Sequence, residues 1–159
     1  MTARIDFTKI NPKIIQSYLA VEAAIASSGL EHSLLLLLKM RASQINGCAF
    51  CIDMHSKDAR AEGETEQRLY GLSAWRETPY YNERERAALA WLEAVTLLPE
   101  GHAPDEVYEP LKAHFTEAEI VTLTVCAANI NTWNRLAVSF RFPAGSYRPG
   151  QFKHLAQAS

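Results

Sequence analysis

Cys48, Cys51 and His55 are spaced three and four residues apart. On a helix, side chains at those separations are neighbours, so all three share one face. Two thiols on one turn can close a reversible intramolecular disulfide. At a helix start, unpaired N–H groups and the macrodipole favour an anion, and a thiolate is one. An imidazole one turn further on can accept or return the thiol proton. Asn46-Gly47 lets the chain turn sharply just before the pair and leaves room beside Cys48. The chemistry predicted is thiol redox. One thiolate attacks an electrophilic sulfur or a peroxide oxygen, the second thiol resolves the product to a disulfide, and an external thiol restores the pair.

A Cys-x-x-Cys pair has other uses. Cys48, Cys51 and His55 could supply three ligands to zinc, which takes four in a structural site and three plus water in a catalytic one. No second C-x-x-C or H-x-x-x-H completes a closed site. Haem attachment is disfavoured because Ile52, not His, follows Cys51.

The elements that must hold this array read as helices. Asn11-Pro12 opens a helix through Ile14, Tyr18, Val21 and Ile25, stopped by Gly29. A second begins near Glu31, carries the run Leu34–Leu38, and is apolar nearly all round, as a core helix is. Asn46-Gly47 breaks it, and a third runs from about Cys48 to Glu62. A short helix is predicted over 66–74. Asn82 and Glu85 form a capping box for a helix through Thr96, and Thr116 and Glu119 another for a helix to Phe140. Pro99, Gly101 and Pro104 mark a loop, Pro110 bends a helical stretch over 105–114, and the tail from Ser146 is irregular. No alternating strand appears, which disfavours a thioredoxin fold. The fold class is all-α, with six to eight helices in one domain over 1–159.

The 159 residues are 48% hydrophobic and 21% charged, with net charge -2, so no basic footprint for nucleic acid is present. Leu34–Leu38, the longest aliphatic run, falls far short of the ~18 residues of a membrane span. The first residues lack the apolar core of a signal peptide, which makes the cytoplasm the expected location. Three cysteines do not suggest a secreted disulfide framework.

The stretch Lys39-Met-Arg-Ala-Ser-Gln-Ile-Asn-Gly-Cys48-Ala-Phe-Cys51-Ile-Asp-Met-His55 resembles the alkylhydroperoxidase AhpD-like proteins of the carboxymuconolactone decarboxylase superfamily, with S-Q-I-N-G-C-x-x-C-x-x-x-H as its specific core. The similarity continues through Arg86–Thr96 and Asn131–Arg135, covering about 10–145. The resemblance implies an all-helical fold with no cofactor or metal, assembled as a homotrimer or homohexamer. It also implies activity on a peroxide with a thiol or dithiol reductant protein as partner. Carried over, Cys51 is peroxidatic, Cys48 resolving, and His55 part of the proton relay. Lactone decarboxylation is disfavoured, since the decarboxylases lack the cysteine pair. The family pattern also places a relay glutamate twelve residues before the first cysteine, where this chain has Leu36. Glu93, in the apolar segment Leu89–Val95, is a candidate replacement from another helix, its other reading being a solvated surface carboxylate.

Cys126 reads as a packed core thiol, and Asp53, two residues past Cys51, as exposed. Trp75, Tyr80 and Tyr81 are expected over the redox pocket, at an oligomer contact or in the core. Asn131, Trp133, Asn134 and Arg135 are polar or bulky insertions in an apolar helix and are expected to form an oligomer-interface hydrogen-bond network. His32, His102, His114 and His154 read as ordinary solvated residues. The leading function is a thiol-dependent peroxidase or disulfide oxidoreductase. The alternatives are a non-enzymatic redox sensor, with the relay weakened at Leu36, and the metal-binding module above.

Overall fold

The computed structural model describes residues 2–152. Among them are nine α-helical segments and no strand. Six are longer than one turn: α2 (Pro12–Ala26), α3 (His32–Ile45), α4 (Ala49–Ala61), α5 (Glu66–Gly71), α6 (Glu83–Thr96) and α9 (Glu117–Phe140). Three are single turns: α1 (Phe7–Ile10), α7 (Leu98–Gly101) and α8 (Asp105–Tyr108). No helix among the described residues is long and apolar enough to cross a membrane. His154 lies outside the described residues.

The leucine run determines the architecture. Leu34 to Leu38 are all buried, so α3 is covered on every side along these five residues. A helix apolar all round must be enclosed, and α4, α6 and α9 enclose it. Leu89 and Leu92 of α6 and Leu123, Ala127 and Ile130 of α9 close the core. Each fully buried leucine contributes about 1.5–3 kcal/mol. α2 lies outside this layer, packed mainly on α9.

Both expected capping boxes form, Asn82 with Glu85 and Thr116 with Glu119. Pro12 takes the first turn of α2, but Asn11 makes no side-chain cap. The expected loop around Pro99 contains the turn α7. Proline sits in its first turn, where a missing N–H leaves nothing unpaired. The stretch 105–114 is divided as expected, α8 giving way to a 3-10 turn at Glu109–Ala113 with Pro110 at its start. α1 has no periodic signature in four residues. It is fixed by Asp6 accepting the Thr8 N–H and by Phe7 packing on Phe140 and Phe142.

Candidate redox site

α3 hands the chain to α4 in three residues. Gly47, at φ +62, takes the left-handed conformation that ends α3. The N–H of Cys48 bonds the Ser43 carbonyl at 3.0 Å and that of Gly47 bonds the Gln44 carbonyl at 3.2 Å, a Schellman cap. Cys48 therefore arrives as the N-cap of α4, and its Sγ accepts the Cys51 N–H at 3.4 Å.

Cys48 and Cys51 meet at the start of α4, His55 follows one turn after Cys51 on the same helix, and all three are buried: Cys48 is 1% exposed, Cys51 2% and His55 4%. Phe50, Ala137 and Phe142 pack over the thiols. All three cysteines are free. The thiols differ in acidity. The Cys51 side chain and then its N–H donate to Cys48, and these outweigh burial, so the Cys48 thiol is shifted down. Cys51 is shifted well up, because Cys48 holds its proton and burial adds to the effect. The helix start thus activates the capping sulfur alone, not both as the spacing suggested. His55 is pushed down to about 3 by burial, with the Lys39 ammonium adding to it, so the imidazole is neutral. Neither ring nitrogen has a hydrogen-bond partner among the described residues.

Asn134, which the sequence reading placed at an oligomer interface, belongs to this site. It is 1% exposed. Its Nδ2 donates to Ser43 Oγ at 3.1 Å, its Oδ1 accepts from Asn46 Nδ2 at 2.9 Å, and its amide also reaches both sulfurs and favours their ionised forms. Asn46 Nδ2 also donates to Asn131 Oδ1, and Asn131 Nδ2 to Thr96 Oγ1 and the Ala127 carbonyl. Arg135 donates to both oxygens of Asn131. Asn131, Asn134 and Arg135 are thus bonded within one chain, where they pin α9 to the α3–α4 turn, whereas Trp133 Nε1 has no partner among the described residues. The spacing Leu123, Ala127, Ile130, Asn134 put this asparagine on the core stripe of α9, a signal the sequence did carry.

Glu93 is placed elsewhere. Its Oε1 accepts Arg41 Nε at 2.7 Å and Trp75 Nε1 at 2.9 Å, and its Oε2 pairs with Arg76. Burial raises its carboxyl, but the three donors outweigh it and hold the group below the usual range. Glu93 is therefore neither bonded to His55 nor a solvated carboxylate; two guanidiniums and an indole saturate it.

Asp53 is half-buried, not exposed, because it pairs with Lys57 and accepts the Gly145 N–H. Trp75 and Tyr81 are core residues. Cys126 is buried as expected, its thiol pushed up to about 11 by burial. His32 pairs with Glu62. No three His, Cys, Asp or Glu side chains among the described residues are disposed to hold a metal ion, so Cys48, Cys51 and His55 do not form the zinc site considered above.

Residues 12–94 match the model of the carboxymuconolactone decarboxylase family. The Bacillus subtilis protein YdfG, itself uncharacterized, is 40% identical over 146 residues, 92% of this chain and 99% of that one. A crystal structure from Agrobacterium tumefaciens, of a protein of unknown function regarded as a candidate antioxidant defence protein AhpD, is 49% identical. It superposes with a TM-score of 0.88 over 92% of this chain and all of that one. The debrominase Bmp8 shares the fold, with a TM-score of 0.77 at 21% identity over 86% of this chain and 73% of its own. This chain belongs to the carboxymuconolactone decarboxylase family and has the all-helical AhpD-like fold.

Proposed function

We propose that the protein is a thiol-dependent peroxidase that cycles a Cys48–Cys51 disulfide. The observation that carries this reading is the pair of buried sulfurs at the start of α4, Cys48 Sγ accepting the Cys51 N–H at 3.4 Å, with the buried His55 one turn further along the same helix. The fold alone does not choose the reaction, since a debrominase shares it.

When Cys48, the more acidic of the two thiols, is ionised, Cys51 holds the proton between them. As a hydroperoxide arrives, that proton passes along the S–H···S contact to Cys48 and Cys51 attacks the terminal peroxide oxygen. An S–O bond forms, the O–O bond breaks, and an alkoxide leaves with the electron pair. His55 passes a solvent proton to the alkoxide, giving the alcohol. The Cys48 thiol then displaces water from the Cys51 sulfenic acid, and the disulfide forms. A dithiol reductant protein returns two electrons and two protons by exchange. His55 suits this role because a neutral imidazole has one donor and one acceptor nitrogen.

The burial of both sulfurs supports a second reading, a dithiol switch that oxidises but turns over slowly. One experiment separates the two. Reduced protein is mixed with an organic hydroperoxide and excess dithiol, with peroxide loss followed over many turnovers and intact mass measured alongside. Multiple turnovers with loss of two hydrogens support the peroxidase. Equal peroxide consumption by wild type and Cys51→Ser overturns it, and one turnover ending in the disulfide leaves the switch.

A further inference from the structure

Four buried side-chain atoms have no hydrogen-bond partner among the described residues: His55 Nδ1 and Nε2, Asn129 Oδ1 and Trp133 Nε1. An unpaired buried polar group costs about 1–3 kcal/mol, so four of them in one protein need a common explanation.

They share one region. α4 packs on α9, where Ala137 lies in one cluster with the two thiols and Asn134 reaches both. His55 lies one turn further along α4. Asn129 and Trp133 are four apart and share a face of α9. On the far side, Tyr18 of α2 packs edge-on against Trp133 at 6.0 Å, and Glu22, one turn later, accepts Asn129 Nδ2 at 3.1 Å. Glu22 also pairs with Lys39 of α3 at 2.7 Å, and the Lys39 charge bears on His55. Four helices thus contribute to one polar neighbourhood, linked from His55 through Lys39 and Glu22 to Asn129.

The unused atoms are complementary to one chemical group. Trp133 Nε1 can only donate, Asn129 Oδ1 can only accept, and a neutral imidazole does one of each. We propose that His55, Asn129 and Trp133 form the binding site for the –O–OH head of an organic hydroperoxide. This rests on the peroxidase reading and names the residues that present the substrate to it. The terminal O–H donates to the acceptor nitrogen of His55 or to Asn129 Oδ1. The inner oxygen accepts from the Trp133 indole. When Cys51 attacks the terminal oxygen and the O–O bond breaks, the electron pair leaves on the inner oxygen, so the indole donates to an oxygen whose negative charge is growing. The sulfenic acid keeps the terminal hydrogen, and the alkoxide takes its proton through His55. A fixed donor aimed at developing charge acts mainly on the reaction barrier.

The test compares two reactions of the same thiols in the reduced protein. One is oxidation by cumene hydroperoxide, followed as loss of two thiols. The other is alkylation by iodoacetamide, which requires no peroxide recognition. Trp133→Phe keeps the aromatic packing and removes only the donor. It is expected to slow oxidation about tenfold, the effect of one hydrogen bond to a developing charge, and to leave alkylation within about twofold. Asn129→Ser, which withdraws the acceptor, is expected to slow oxidation about threefold with alkylation again unchanged, and it serves if Trp133→Phe does not fold. Oxidation at the wild-type rate in both variants overturns the proposal, as does an equal fall in oxidation and alkylation. If the wild-type thiols do not react with hydroperoxide at all, the peroxidase reading itself fails, which is a different result.

Discussion

The sulfur of Cys48 caps the helix on which Cys51 rides, accepting the Cys51 N–H at 3.4 Å. That relationship divides two chemically identical thiols into an acidic one and a protonated one. In Cys51→Ser, Cys48 keeps its cap position and the backbone donor, and the serine hydroxyl takes over the side-chain donation that is the largest cause of its lowered value, so its thiol remains below the ordinary value near 8.5. In Cys48→Ser, Cys51 loses its sulfur neighbour but not its burial, and its thiol stays above that value. Thiolate ultraviolet absorbance followed through a pH titration of each variant reads this directly. A Cys51 that ionises more readily than Cys48 in the single variants refutes the assignment.

Asn134 connects the thiols to the rest of the fold. Asn134→Leu keeps the volume but leaves Asn46 Nδ2 and Ser43 Oγ each short of one partner, a loss of about 2 kcal/mol for buried groups of this kind. It also removes an amide that favours the ionised sulfurs, so the Cys48 thiol should titrate at higher pH than in wild type. Urea unfolding measures the first effect and the pH profile of alkylation the second. A stability loss with an unmoved thiol titration would make Asn134 a structural residue only.

The turn that presents Cys48 depends on one backbone angle. Gly47 lies at φ +62, yet a Cβ there would meet nothing within 4 Å. Gly47→Ala therefore carries only the backbone penalty of a left-handed residue, roughly 1–2 kcal/mol. Equilibrium denaturation should show that loss with the alkylation rate of Cys48 little changed. A large fall in thiol reactivity would mean the added methyl displaces the cap.

How much of this was legible depends on range. Helix limits set by local chemistry, such as the Asn82 and Thr116 boxes and the Gly47 stop, were readable because their partners lie within three or four residues. The Cys48, Cys51 and His55 face was readable for the same reason. Glu93 misled because an acid in an apolar segment shows that a partner is needed and not which one; Arg41 and Arg76 come from α3 and from the 3-10 turn after α5. Asn134 was noticed as anomalous, but its partners Ser43 and Asn46 are 91 and 88 residues away. The unequal acidity of the two thiols follows from which sulfur occupies the cap, and spacing alone places both on the same turn.

Glu93 should behave as a structural residue. Glu93→Gln keeps a hydrogen-bond acceptor but removes the charge facing Arg41 and Arg76. Arg76 is more than half exposed, whereas Arg41 is largely covered, so the loss falls mainly on Arg41. A decrease of about 1–3 kcal/mol in unfolding free energy is expected. Rates of thiol oxidation and alkylation should stay within about twofold of wild type. A tenfold fall in oxidation without a stability change would return Glu93 to the relay.

His55 gives the protein a specific acid sensitivity. In the unfolded chain a histidine takes a proton near pH 6.5. In the folded protein burial and the Lys39 charge hold that event down to about 3. Above pH 6.5 neither state is protonated, and the neutral ring is no liability. As pH falls from 6.5 towards 3 the unfolded state binds a proton that the native state refuses, so stability drops by up to about 1.4 kcal/mol per pH unit. His55→Gln removes that proton from the balance. Its stability should therefore decline less steeply than wild type across this window, by roughly one proton in the slope, as measured by urea unfolding at a series of pH values. Parallel curves would mean that His55 is protonated in the native state, and the neutral imidazole on which the proposed proton transfer depends would have to be abandoned.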